Sequence, residues 1–281
     1  AMARAAGVDL RLEDFDAISS IVPLMAKVYP NGLADVNHFH AAGGLPYMIG
    51  RLLDAGLLHE DVKTVAGDGL GLHAQEPALD GGALIFRDGA KDSANDKILR
   101  TADDPFQATG GLKQLKGNLG HGMMKVSAVA PERHVVEAPA RVFESQNAVK
   151  EAFKAGEFTS DLVIVVRFQG PKANGMPELH GLTPALSVTQ QRGINVALVT
   201  DGRMSGASGK VPSCIHVSPE AAAGGPLSRI QNGDIIRVDA TNGTLECLTK
   251  DAMDRAPATP DLSHNGNGVG RELFDVFRQT V

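Results

Sequence analysis

The chain has 281 residues, 43% of them hydrophobic and 21% charged, the composition of an ordinary folded chain with one large or two modest domains. A formal net charge of -6 gives no general attraction to nucleic acid or to an anionic membrane, and no apolar run approaches the roughly 20 residues of a membrane span. The start, AMARAAGVDLRLED, lacks the apolar core of a signal peptide, and Cys214 and Cys247 have no metal-site spacing, so a reduced, cytoplasmic setting is expected.

The first 70 residues read as helical. AMARAAG resembles the tail of a helix, with a cloning scar before Met2 as the alternative reading. LEDFDAISSIV places Phe15, Ile18 and Val22 at helical spacing before Pro23 interrupts the segment. LPYMIGRLLDAG is a second amphipathic helix with Met48, Ile49, Leu52 and Leu53 as its stripe and Gly56 as its stop. The stretch AGDGLGLHAQEPALDGG has no periodicity and is the best candidate boundary.

Beyond it, GALIFRDG, HGMMKVSAVA, HVVEAPARVF, DLVIVVRF, INVALVT, DIIRVDA and TLECLT read as strands. Ser145 caps a helix over QNAVKEAFKAG that Gly156 closes, and Ser218 with Pro219 and Glu220 suggests another helix start. Asn242-Gly243 supplies a hairpin turn, and VGRELFDVFRQTV is a last amphipathic helix. Many strands with few helices predict a barrel or sandwich decorated by helices rather than a repeating βαβ fold.

Four loops carry the polar chemistry. In VTDGRMSGASGK, residues 199–210, three glycines surround Ser205 between Arg203 and Lys210. Backbone N–H groups and cations converging there suit an anion, although such a turn is also common as plain structure. It is not a P-loop, because Met204 stands where that motif needs Gly and Val211 where it needs a hydroxyl. In RFQGPKANGMPELHG, Glu178 sits on a rigid loop, suited to a divalent cation or to simple pairing with a lysine. In NHFHAAGGLPY, His38 and His40 either bind a ligand near a helix start behind Gly43-Gly44 or merely pack and cap. GLKQLKGN puts Lys113 and Lys116 on an expected solvated turn, and Met123 and Met124 are expected core.

Taken together, DVNHFHAAGGLPYMI, LKGNLGHGMMKVSAV, EAPARVFESQ, VVRFQGPKANGMPELH, LVTDGRMSGASGKVPSCIHVSPEA and GGPLSRIQNGDIIRVD resemble the dihydroxy-acid and 6-phosphogluconate dehydratase family. The match runs in order over nearly the whole chain. NHFHAAGG, RFQGPKANGMPELH and SGASGKVP look like the 6-phosphogluconate branch; the branched-chain amino-acid branch reads closer to YEGPKGGPGMPEM and SGATHG.

The resemblance implies an α/β fold: a C-terminal swivelling β-barrel domain of β/β/α-like type over residues 76–281, preceded by a helical remnant of an N-terminal α/β domain over residues 1–75. It implies a hydro-lyase that dehydrates 6-phospho-D-gluconate to 2-dehydro-3-deoxy-6-phospho-D-gluconate in gluconate breakdown, the Entner-Doudoroff route. Ser205 matches the serine that removes the C2 proton as an alkoxide, and Glu178 matches a carboxylate ligand of Mg²⁺. Arg203, Gly206 and Lys210 become substrate-binding candidates. An iron–sulfur cluster is implied as Lewis acid for the departing hydroxyl, along with a homodimer acting on a small phosphorylated sugar acid. The family's cluster cysteines, and an acid and a lysine that help hold Mg²⁺, have no counterpart motif here. The chain therefore reads as a C-terminal piece whose early helices expose apolar stripes that favour association. Two rivals stand beside this reading: a dehydratase for dihydroxy-isovalerate or an unphosphorylated sugar acid, and a domain that is non-catalytic on its own.

Overall fold

The computed structural model describes residues 2–206, 209–268 and 270–279, and the chain divides into two units, residues 17–111 and residues 1–16 with 112–281. Both sides of residue 75 belong to the first of these. Helices α1 (Met2–Ala5) and α2 (Leu12–Ile21) open the chain, and Glu13 and Asp14 in the first turn of α2 complement its dipole. Phe15, Ile18 and Ile21 of α2 remain exposed.

Helix α3 (Val36–Ala41) begins with a capping box: the Asp35 carboxylate accepts from the His38 N–H, and the His38 ring takes the Asp35 N–H in return. His38 therefore caps. In α4 (Gly44–Asp54) the buried anchor is Tyr47, which packs with Ala42, Ile98 and Leu99, and Gly56 ends the helix in the left-handed region. Two short hairpins follow, β1 (Lys63–Thr64) with β2 (Gly67–Asp68), and β3 (Gln75–Asp80) with β4 (Ala83–Asp88). The aperiodic stretch thus holds a strand. Gly81 and Gly82, both at positive φ, make the tight turn that pairs QEPALD with ALIFRD despite the weak strand character of the former.

The second unit is a closed barrel. Its strands are β5 (Leu112–Gly117), β6 (Gly120–Lys125), β7 (Val135–Phe143), β8 (Leu162–Val166), β9 (Val196–Thr200), β10 (Ser213–Ser218), β11 (Ile235–Asp239) and β12 (Thr244–Cys247). They run around the barrel in the order β10-β6-β5-β12-β11-β7-β8-β9. GLKQLKGN is therefore strand rather than solvated turn. Leu115 packs into the barrel interior and Gln114 is buried on the opposite face, while Lys113 and Lys116 pair with Asp16 and Glu13 of α2.

Half of the barrel is parallel. Helix α5 (Gln146–Lys154) crosses from β7 to β8, and α6 (Pro171–Asn174) and α7 (Thr183–Gln191) lie between β8 and β9, so βαβ units do occur. These helices explain LVIVV and VALVT, in which every residue is buried. Val163, Val165, Ala197 and Val199 fill the barrel interior, while Leu162, Ile164, Val166, Val196 and Leu198 pack outward with Val149 of α5 and Leu186 of α7. Ser145 caps α5 by accepting from the Ala148 N–H, as expected.

Two helix expectations fail. Ser218 ends β10, and only a 3-10 turn, Ala221–Ala223, follows it. Of the expected C-terminal helix, residues 269, 280 and 281 lie outside the described residues, and the described part is split into a 3-10 turn, Arg271–Phe274, and α8 (Asp275–Gln279).

The seam between β5 and β12 is thin. One register pair, Thr244 with Lys116, joins the two strands, helped by the Lys116 N–H donating to the Gly243 carbonyl at 2.9 Å. Beyond it the Asn118 side chain acts as a strand: its amide donates to the Cys247 carbonyl and its oxygen accepts from the Cys247 N–H, both at 2.8 Å.

Candidate active site

Strands β8 and β9 are adjacent and parallel, with Val166 opposite Thr200, so the loops leaving their C-terminal ends emerge side by side. This is where ligands settle in parallel α/β sheets. The loop after β8 carries Glu178 and the loop after β9 carries Arg203, Ser205, Gly206 and Lys210.

Asp201, the first residue past β9, ties the loops together. Its buried carboxylate accepts from the N–H groups of Phe168 at 3.1 Å, Gln169 at 2.9 Å and Ala221 at 3.0 Å. Burial raises its pKa, against those three donors, which pull it down. Gly202 then allows close approach, since a Cβ there would lie 2.7 Å from the Gln169 Cβ.

Glu178 and Arg203 form a parallel β-bridge, and the Leu179 N–H donates to the Arg203 carbonyl at 3.1 Å. On that frame the Glu178 carboxylate gathers three donors. Oε1 accepts from the N–H groups of Ser205 at 2.8 Å and His180 at 3.0 Å, and Oε2 accepts from Arg203 Nη1 at 2.7 Å. Arg203 Nε donates to the Met176 carbonyl at 2.8 Å. The Arg203–Glu178 pair is 47% and 36% exposed, so its ionic contribution is small.

Three of the five sequence candidates are thus brought into one hydrogen-bonded group. Gly206 adjoins it, its carbonyl accepting from Lys125 Nζ at 2.9 Å. Lys210 lies at the far end of the loop, where its carbonyl accepts from the Gln190 side chain of α7. Backbone in the left-handed region recurs here: Phe168, Met176 and His216 all have positive φ, and non-glycine outliers of this kind concentrate where structure is held for a purpose. His216 sits at an irregularity in the β10–β6 register, its N–H donating to the Gly202 carbonyl. Burial, with Arg203 adding to it, lowers the His216 pKa.

Asp201, His216 and Lys125 were not singled out from the sequence. An acid directly after a buried apolar run was a usable signal for Asp201. Nothing in the spacing pointed to His216 or Lys125, whose neighbours come from distant parts of the chain.

Glu178 fits Mg²⁺ as one ligand, because that ion takes one or two carboxylates and fills its remaining positions with water or substrate oxygens. Among the described residues no group of three or more His, Cys, Asp or Glu side chains could hold a metal. Cys214 and Cys247 do not fit an iron–sulfur cluster. Both thiols lie in the barrel core, and burial pushes Cys214 up to about 12, far from a thiolate.

The paired loops stand on a closed barrel of mixed strand direction, and the chain's relatives give its family. Residues 97–281 match the family described as dihydroxy-acid/6-phosphogluconate dehydratase C-terminal, and residues 1–73 match its N-terminal counterpart. The chain belongs to the dihydroxy-acid/6-phosphogluconate dehydratase family. It is 58% identical over 282 residues to the phosphogluconate dehydratase of Pseudomonas aeruginosa, covering 100% of this chain and 46% of that protein. It is 55% identical over 283 residues to that of Escherichia coli K12, covering 100% and 47%. Against the dihydroxy-acid dehydratase of Renibacterium salmoninarum it is 41% identical over 257 residues, covering 90% and 42%. The chain spans about half the length of the curated relatives it matches. Among the described residues no helix is long and apolar enough to cross a membrane.

Proposed function

We propose that this chain supplies the barrel half of a 6-phosphogluconate hydro-lyase, a cytoplasmic homodimer in which Ser205 takes the C2 proton. The observation that carries the reading is the Glu178 carboxylate, which holds the Ser205 N–H and the Arg203 guanidinium at once. The identity to phosphogluconate dehydratases supports the substrate. The match of residues 1–73 to the family's N-terminal domain supports reading residues 1–75 as the end of such a domain, the remainder of which would supply the cluster ligands.

In this mechanism the Ser205 alkoxide oxygen takes the proton from C2. The C2–H electron pair forms the C2=C3 double bond as the C3 hydroxyl leaves, taking up a proton to become water. The enol then tautomerises to the 2-keto-3-deoxy acid. Glu178 would hold Mg²⁺, which supplies charge neutralisation at the substrate carboxylate and makes the C2 proton more acidic. Arg203, half exposed beside Glu178, would meet an anionic group of the substrate, and Lys210 would provide a second cation on the same loop. The Gly206 backbone lines the substrate side; a Cβ built on it meets nothing within 4 Å.

The test is an anaerobic assay of the holoenzyme for keto-acid product from 6-phosphogluconate, gluconate and 2,3-dihydroxyisovalerate, run beside Ser205→Ala and Glu178→Gln. Turnover confined to the phosphorylated acid, lost in Ser205→Ala and less responsive to Mg²⁺ in Glu178→Gln, is expected. Equal rates on gluconate argue against a phosphate-selective site, and a Ser205→Ala enzyme with near-normal turnover removes the base.

A further inference from the structure

Behind the Ser205 loop lies a small cavity of about 130 Å³, walled mainly by Met123, Met204, Val211 and Ile215. Lys125 and Ser205 both line it. Lys125 is the last residue of β6, a strand otherwise devoted to the core through Met123 and Met124. A lysine is rarely drawn into such surroundings without a partner. Here its ammonium donates to the Gly206 carbonyl at 2.9 Å, one residue past Ser205. The stem is accommodated by Gly209, where a Cβ would lie 2.9 Å from Lys125 Cδ, so the loop's last glycine makes room for this side chain.

We propose that Lys125 is a positioning residue for proton abstraction: its ammonium clamps the Gly206 carbonyl and fixes Ser205 on the wall of the apolar cavity that both residues line. This rests on the reading of Ser205 as the base. A hydrogen bond from an ionised donor is roughly twice as strong as a neutral one. Burial lowers the Lys125 pKa, which marks the ammonium as partly stripped of water. The Ser205 N–H is held by Glu178, so the backbone of Ser205 and Gly206 is fixed at two points, one on either side of the Ser205 Cα.

The experiment compares Lys125→Met, which keeps the stem and removes the donor, with Lys125→Arg, which keeps a charged donor. Both are made in the holoenzyme, with Ser205→Ala as a control and substrate deuterated at C2. In Lys125→Met we expect kcat to fall about 100-fold, the order that placement of a proton-transfer group contributes. KM should stay within about two-fold, iron content and thermal midpoint should stay near wild type, and the C2 isotope effect on kcat should be at least as large as wild type. Lys125→Arg should recover most of the loss. A Lys125→Met enzyme with wild-type kcat overturns the proposal. So does a loss that appears in KM alone, that comes with a reduced isotope effect, or that Lys125→Arg shares in full. If Ser205→Ala is inactive while Lys125→Met is normal, only the positioning role fails. If Ser205→Ala is active, the base assignment itself fails.

Discussion

Asp201 is the most informative residue to perturb, because its carboxylate is 1% exposed and serves three N–H donors that also belong to buried residues, Phe168, Gln169 and Ala221. Oδ2 takes two of them and Oδ1 takes one. In Asp201→Asn the amide oxygen is best placed at the Oδ2 position, which keeps Phe168 and Ala221 satisfied and turns the new NH₂ toward the Gln169 N–H. One buried donor is then lost, at about 1–3 kcal/mol. Asp201→Ala orphans all three, and simple addition gives about 3–9 kcal/mol, with the lower part of that range expected once the site relaxes or admits water. The charge itself is not the asset: burial raises the Asp201 pKa, so the folded barrel disfavours the ionised form and the acceptor geometry carries the benefit. Urea unfolding followed by far-ultraviolet circular dichroism measures both variants. The reasoning is refuted if Asn is as damaging as Ala, or if Ala falls within about 0.5 kcal/mol of wild type, the range of an unremarkable surface change.

Three further outcomes follow from other positions. Gly120→Ala should cost more than about 3 kcal/mol, because its Cβ would lie 2.3 Å from the Ser218 carbonyl oxygen at a φ of +98. Gly233→Ala, at a φ of +92 but facing open space, should cost only about 1 kcal/mol; equal thermal shifts for the two would disprove the steric account. Burial and Arg203 lower the His216 pKa, so between that value and about 6.5 the unfolded chain binds a proton that the fold refuses. This contribution to stability is full above about pH 6.5 and declines as pH falls, so His216→Asn, which tolerates the positive φ, should flatten the acid side of the urea-midpoint profile. Arg255→Met strips Asp234, 4% exposed, of a two-pronged partner at 2.6 and 2.9 Å, and should cost about 3–5 kcal/mol, most of it regained when Asp234→Asn is added. No recovery in the double variant would show that the loss is one of packing rather than of an orphaned charge.

The legible parts of the fold were those whose partners lie nearby or whose burial is complete. LVIVV and VALVT announce strands covered on both faces; Ser145, Gly156 and Asn242-Gly243 act through neighbours a few residues away. Strand β5 was hidden because Lys113 and Lys116 look solvated until Asp16 and Glu13, about a hundred residues earlier, are brought alongside. Strand β10 was hidden by its irregularity at His216, which spoils the alternation that marks a strand. Glu178, Arg203 and Ser205, which meet in one hydrogen-bonded group, could be picked out beforehand because each sits in a long motif. Lys125 and His216 could not, because their contacts with this loop exist only after β6, β9 and β10 have been laid side by side.

The thin β5–β12 seam bears on the order in which the barrel assembles. Asn118 and Cys247, whose reciprocal bonds complete that seam, are 129 residues apart in the chain, so the cost of bringing them together is incurred across most of the unit. The β7–β8–β9 block, by contrast, needs only crossovers of ordinary length. In a native-state hydrogen-exchange experiment the amides of Lys116 and Cys247 should therefore open at a free energy below that of global unfolding, and exchange of both only through global unfolding would contradict this. An open, curved sheet that closes late leaves β5 and β12 as temporary free edges during folding. Asn118 is then the latch that retires them before another chain can pair with them.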